Sequence, residues 1–164
     1  MNRPRATYTH RTRRKGNARS TTLPTQPQTR PIDMSYLDRV FIEPQKLREW
    51  WGWVRPGLLE VKEYADDNWI PEDVYTDCFN GRSMLWVVTD EGRPVGFGVM
   101  QPLGDCLHVW CGWGQMLMDE GFRHIREIAK AGGARRISFD SNRPGWERVA
   151  KKHGFRPRKW IAEV

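Results

Sequence analysis

The sequence predicts a single α/β domain on a mixed sheet, antiparallel in its first half and finished by a parallel strand–helix–strand crossover. Three observations carry that expectation. Residues 84–100 hold two β-rich runs around a tight Asp90-Glu-Gly-Arg93 turn, the pattern of a hairpin. Residues 106–141 read as strand, glycine-rich corner, amphipathic helix and strand, and a unit that closes this tightly joins parallel strands through a right-handed crossover. The composition also changes near residue 33: residues 1–33 lack periodic apolar residues, and residues 34–164 carry the folded pattern.

In chain order, Asp38–Glu43 alternates as a short strand, and Pro44 suits a first helical turn. Gln45–Val54 follows as a helix with Leu47, Trp50, Trp51 and Val54 inward, and Pro56 opens a second helix reaching about Ala65. The tryptophans at 50, 51 and 53 are read as packing residues. Pro71–Phe79 is a third helix, stopped by Asn80-Gly81. In the hairpin, Gly96 and Gly98 alternate with Val95, Phe97 and Val99, so one strand face is bare and open to close approach. Cys106–Cys111 is the next strand, and Gly112-Trp-Gly114 is its corner. Along Gln115–Ala131, Leu117, Gly121, Ile125, Ile128 and Ala129 share one helical face, and Gly132-Gly133 ends the helix. Arg136–Phe139 returns as a strand. Pro144–His153 is the last helix, with Ser141 or Asn142 as its cap, and a final strand ends at Lys159–Val164.

The net charge of +7 is a property of the N-terminal arm. Residues 1–33 hold eight basic residues against Asp33 alone, which leaves 19 basic and 19 acidic groups in residues 34–164. Such an arm cannot bury enough surface to offset its ordering entropy and is expected to be disordered in isolation. Its Arg11–Lys15 cluster suits nucleic acid or another polyanion; the plainer readings are a solvated arm, or a true start at Met34. The arm has no apolar core for a secretory signal, and no run approaches the ~18 apolar residues that span a membrane. Three cysteines (Cys78, Cys106, Cys111) without framework spacing favour free thiols in a reducing compartment, so a cytoplasmic location is expected. Cys106-x-His108-x-x-Cys111 lacks the paired spacing of structural zinc sites, and no metal is assigned to it.

The order of elements, the hairpin at Glu91-Gly92, the crossover over 106–141 and the ending His153-Gly-Phe155 together resemble the GNAT superfamily of N-acetyltransferases, over about residues 36–164. The closing helix matches in position the family's ending N-P-x-A-x-x-x-Y-x-x-x-G-F. The run Ile137–Trp146 narrows the resemblance to small GNAT-like proteins of tailed bacteriophages. The resemblance implies acetyl-CoA lying between the fourth and fifth strands, and an acceptor amine on a small molecule or protein. The family's Arg/Gln-x-x-Gly-x-Gly/Ala loop would hold the pyrophosphate at the helix N-terminus.

The sequence departs from that pattern at two places. Counting from Gln115, the first loop glycine falls on Met118, followed by Asp119 and Glu120, and the family's tyrosine position is Ala150. By the resemblance, the candidate site that remains is His108, on the fourth strand where the family's base can sit, as the proton-accepting group, with Gly112, Trp113, Gly114, Gln115 and Arg143 as cofactor contacts. Two functions follow: an acetyl-CoA-dependent N-acetyltransferase with a degenerate loop, or a non-catalytic phage protein, in virion or host cytoplasm, whose basic arm binds a phage or host partner or nucleic acid.

Overall fold

The computed structural model describes residues 37–65, 68–114 and 118–156. Among the described residues, five strands form one sheet in the order β1-β2-β3-β4-β5. They are β1 Leu37–Ile42, β2 Met84–Asp90, β3 Arg93–Leu103, β4 Cys106–Gly114 and β5 Arg136–Phe139, antiparallel except for the parallel β4–β5 pair. The helices are α1 Leu47–Lys62, α2 Pro71–Phe79, α3 Met118–Ala131 and α4 Trp146–Lys152, with a single 3-10 turn at Pro44–Lys46 ahead of α1. The mixed sheet and its crossover are thus as expected. The arm over 1–33, Gln115, Leu117 and the strand expected at 159–164 lie outside the described residues.

Local chemistry sets several boundaries. Glu91 and Gly92 both have positive φ (50° and 79°), the conformation that joins two strands through a two-residue turn. Asp73 accepts the Ile70 N–H at 2.9 Å and so caps α2. At the end of α2, Gly81 N–H reaches the Cys78 carbonyl and Arg82 N–H the Asp77 carbonyl, at 3.2 and 2.9 Å. At the end of α3, Gly133 reaches Lys130 and Ala134 reaches Ala129, at 3.1 and 2.9 Å. Both are Schellman closures around a left-handed glycine.

Three expectations need correction. Pro56 starts no second helix, because α1 runs unbroken through it. The bond that proline deletes is the one to the Gly52 carbonyl, and both residues lie on the exposed side, where water can serve that carbonyl. The buried series Leu47, Val54, Gly57 and Leu58 holds one phase across the proline, and this packing overrides the local break. Gly112-Trp-Gly114 is not a corner: β4 continues to Gly114, pairing Gly112 with Gly98 and Gly114 with Gly96. Finally, neither Ser141 nor Asn142 caps α4. Pro144 and Gly145 (φ 85°) make a type II turn closed by Trp146 N–H on the Arg143 carbonyl, and Gly145 is the residue at the cap. Ser141 Oγ instead accepts the Arg143 N–H at 3.2 Å.

The main core lies between the sheet and α1–α2, where Leu47, Val54, Leu58, Val74, Val87 and Val99 are all but inaccessible. Each such side chain contributes about 1.5–3 kcal/mol of burial. Trp53, Phe97 and Trp113 close over Gly57, with ring centroids 5.8–5.9 Å apart. A Cβ at Gly57 would meet Phe97 at 2.7 Å and Trp113 at 2.8 Å, so only glycine lets α1 approach this closely. A second core joins α3 to the sheet through Met100, Leu107, Ile128 and Ala129. On α3, Phe122 and His124 are buried as well, outside the apolar series read from the sequence. Phe122 and Phe139 seat α4 through Trp146 and Phe155, at centroid distances of 4.8–6.4 Å.

Candidate functional site

The site is organised by an interruption of β4. Val99 of β3 pairs with Cys111, but Met100 pairs with Val109, so Trp110 is an extra residue in β4. A bulge of this kind bends the strand and sharpens its twist. It coincides with the end of the parallel pairing: β4 and β5 match from Cys106–Arg136 to Val109–Phe139 and no further among the described residues. Beyond that point Trp110–Gly114 runs beside β3 alone among the described residues. The parallel pairing stops because β5 itself ends at Phe139, and α3 begins four residues after β4 ends.

Parity decides which side chains face which layer. The bulge puts Trp110 and Cys111 together on the α1–α2 side: Cys111 is buried in the main core and Trp110 packs on Trp69 at 6.0 Å. Burial pushes the Cys111 thiol up, and pushes that of Cys78 up to about 12, so both are inert at neutral pH. Trp113 follows into the aromatic cluster over Gly57, and its indole N–H donates to Glu60 at 2.6 Å. Its side chain thus faces the core. Gly112 and Gly114, by contrast, are exposed, and apart from the Phe97 carbonyl at 3.6 Å nothing crowds a Cβ built at Gly112. Gly114 has φ 148°, which side-chain-bearing residues rarely adopt.

His108 lies at the closed end of the opening, paired with Gln101 on β3 and Ser138 on β5. Its Nδ1 is 3.0 Å from Ser138 Oγ, which also accepts the Cys106 thiol at 3.3 Å. Beyond β5, the exposed Arg143 guanidinium lies 5.6 Å from the centroid of the Tyr64 ring, and Asn142 N–H meets the Tyr64 carbonyl at 3.4 Å. The sequence candidates therefore fall at three stations: His108 at the closed end, Gly112–Gly114 along the free strand, and Arg143 beyond β5. Gln115 is outside the described residues. Sequence reasoning missed Ser138, Trp110 and Tyr64. Ser138 had a faint signal, as the one hydroxyl in a four-residue strand, but its partner depends on parallel register.

The head of α3 carries Asp119 and Glu120 in its first turn. Neither charge stands alone. Lys152 of α4 reaches both Asp119 oxygens at 2.9 and 3.0 Å, and His153 Nε2 stands at ion-pair distance, 2.9 Å, without hydrogen-bond alignment. Lys152 first, and His153 after it, hold the Asp119 carboxyl below the usual carboxylate range. Glu120 pairs with Arg123. The helix head is therefore close to charge-balanced, and its carboxylates also suit the helix dipole.

No family model matches the sequence, and no curated protein matches it. Solved structures do. A ribosomal-protein-alanine N-acetyltransferase from Brucella melitensis biovar Abortus 2308 superposes with a TM-score of 0.54 at 11% identity, over 78% of this chain and 97% of that one. The aminoglycoside N-acetyltransferase AAC(6')-Iy in complex with CoA gives 0.52 at 12%, over 78% and 93%. An aminoglycoside acetyltransferase from an uncultured soil metagenomic sample, in complex with sisomicin, gives 0.56 at 10%, over 79% and 95%. This likeness establishes the GNAT fold. It is a likeness to acetyltransferases at large, and the narrower resemblance to phage proteins finds no support in it. No helix among the described residues is long and apolar enough to cross a membrane.

Proposed function

We propose that this chain is an acetyl-CoA-dependent N-acetyltransferase, working in the cytoplasm on an amine of a small molecule or protein. The observation that carries this reading is the stretch Trp110–Gly114 of β4, which begins at the bulge and which β5 ends too early to pair, in a fold shared with acetyltransferases, one of them in complex with CoA. The residues present fit such a ligand. Trp110–Gly114 has backbone groups without a β5 partner, Gly112 and Gly114 keep one face clear, and the paired carboxylates of α3 set no net negative charge against a phosphate. Bound acetyl-CoA would supply an activated acetyl thioester.

The chain's own residues supply the rest. Gly112, Trp113 and Gly114 would hold the ligand through the main chain, with Gln115 continuing that run. Arg143, stacked on Tyr64, would meet a phosphate or carboxylate. His108 would take the proton from the attacking amine, a role suited to an imidazole at neutral pH. Isothermal titration with acetyl-CoA tests the reading. Saturable micromolar binding, lost in Gly112→Trp or Gly114→Trp, is expected; absence of binding up to millimolar ligand would sink it.

A second reading is favoured by Met118 at the family's loop-glycine position and Ala150 at its tyrosine position. In it the scaffold is non-catalytic, a phage protein of the virion or host cytoplasm, and residues 1–33 engage nucleic acid or a phage or host protein. Salt-sensitive DNA binding that vanishes on deleting residues 1–33, in a protein that ignores acetyl-CoA, is the result that would favour it.

A further inference from the structure

The proposed role of His108 requires a lone pair on the ring nitrogen that faces the substrate, and a neutral imidazole has only one. Which nitrogen keeps it depends on what the other one bonds. Among the described residues, the hydrogen-bond partner of His108 is Ser138 alone, at Nδ1. Gln101, the cross-strand neighbour on β3, donates its amide to Asp77 of α2 at 3.4 Å. Ser138 is itself held from a second side, because its oxygen accepts the Cys106 thiol at 3.3 Å. A hydroxyl oxygen has two lone pairs, so it can accept one proton from Cys106 and one from Nδ1. The three side chains form a chain across the parallel seam, with Cys106 and His108 two residues apart on β4 and Ser138 opposite His108 on β5.

We propose that Ser138 is a positioning residue for His108, accepting the Nδ1 proton so that Nε2 keeps its lone pair as the proton acceptor of acyl transfer. Cys106 anchors the serine oxygen from the other side. This rests on the acetyltransferase reading for its chemical purpose, but the geometry it describes exists without any ligand. The proton balance closes on one nitrogen. Nε2 takes the proton released when the amine nitrogen bonds to the acetyl carbon, the carbon–sulfur bond breaks, and the same proton passes to the departing thiolate. His108 would then serve as both base and acid, which accounts for a site with Ala150 where the family carries a tyrosine.

Nitrogen-15 NMR of the ligand-free protein, labelled at histidine and at a pH where the ring is neutral, reads the tautomer directly. The expected result is Nδ1–H in the parent protein, a shift toward Nε2–H in Ser138→Ala, and a return to Nδ1–H in Ser138→Thr, which keeps the hydroxyl. Nε2–H in the parent, or no change in Ser138→Ala, overturns the proposal. With an active acceptor, Ser138→Ala should lower kcat on the order of tenfold, part of the ~10²–10⁴ a general base contributes. The KM for acetyl-CoA and its calorimetric affinity should stay unchanged. A normal tautomer in a protein that does not bind acetyl-CoA would sink the function above while leaving the Ser138–His108 relation standing.

Discussion

The two faces of the sheet are held by different physics. Toward α1 and α2 the contact is almost wholly apolar: twelve buried residues, from Ile42 to Cys111, with a ring of tryptophans packed against them. Toward α3 and α4 the apolar set is smaller, and a buried histidine sits among charges. His124 Nδ1 is 2.8 Å from Arg39 of β1, Arg123 lies 3.5 Å from Nε2, and Glu127 pairs with both arginines. Packing of the first kind is nearly indifferent to pH and salt, whereas the second kind depends on both. Trp113 packs into the first face, which leaves Gly112 and Gly114 bare.

The sharpest way to break the contrast is inside the apolar face. Leu58→Ala should cost about 2–5 kcal/mol, because Leu58 is fully buried in the main core. Urea unfolding measures it, and a loss below 1 kcal/mol would show that this layer is loosely packed. Gly57→Ala comes next. Alanine favours a helix by about 1 kcal/mol over glycine, yet its methyl would sit 2.7 Å from Phe97, so a net loss of about 1–3 kcal/mol is expected. A gain in stability would mean that Trp113 and Phe97 yield easily.

On the charged face the probe is pH. Burial first, then the Arg123 and Arg39 charges, lower the His124 pKa below that of a free imidazole. The unfolded chain takes up a proton below about pH 6.5 while the folded one resists, so stability should fall as pH drops from 7.5 toward 5. Substituting His124→Gln should flatten that slope; an equal slope in the variant would assign it elsewhere. The smallest effect is expected from Asp119→Asn at the head of α3. It removes an exposed pair with Lys152, and the difference from the parent should shrink as salt is raised.

Much of the fold was legible because it is written in local chemistry. The Glu91-Gly92 turn, the start of α2 at Pro71 and the glycine closures at Gly81 and Gly133 are all set by residues within a few positions of each other. What could not be read depends on distant partners. Pro56 looked like a helix start because its neighbours cannot report that α1 will pack against Phe97 and Trp113 and continue unbroken through it. Gly112–Gly114 looked like a corner because their pairing with Gly96 and Gly98 is a fact about β3. The candidate site divides in the same way. His108 could be placed on its strand from alternation, but the bulge at Trp110, which turns Trp113 inward, and the facing of Ser138 both follow from inter-strand register.

The aromatic cluster over Gly57 has an optical consequence. Trp53 and Trp113 lie 5.8 Å apart with their rings at 82°, close enough and skewed enough for their indole transitions to couple. The folded protein should therefore carry exciton signal in its circular dichroism, and Trp113→Phe should remove the Trp53–Trp113 share of it while the Trp50–Trp53 and Trp69–Trp110 pairs keep theirs. Because Trp53 rides on α1 and Trp113 on the free stretch of β4, that share is a built-in gauge of how α1 sits on the strand beside the opening.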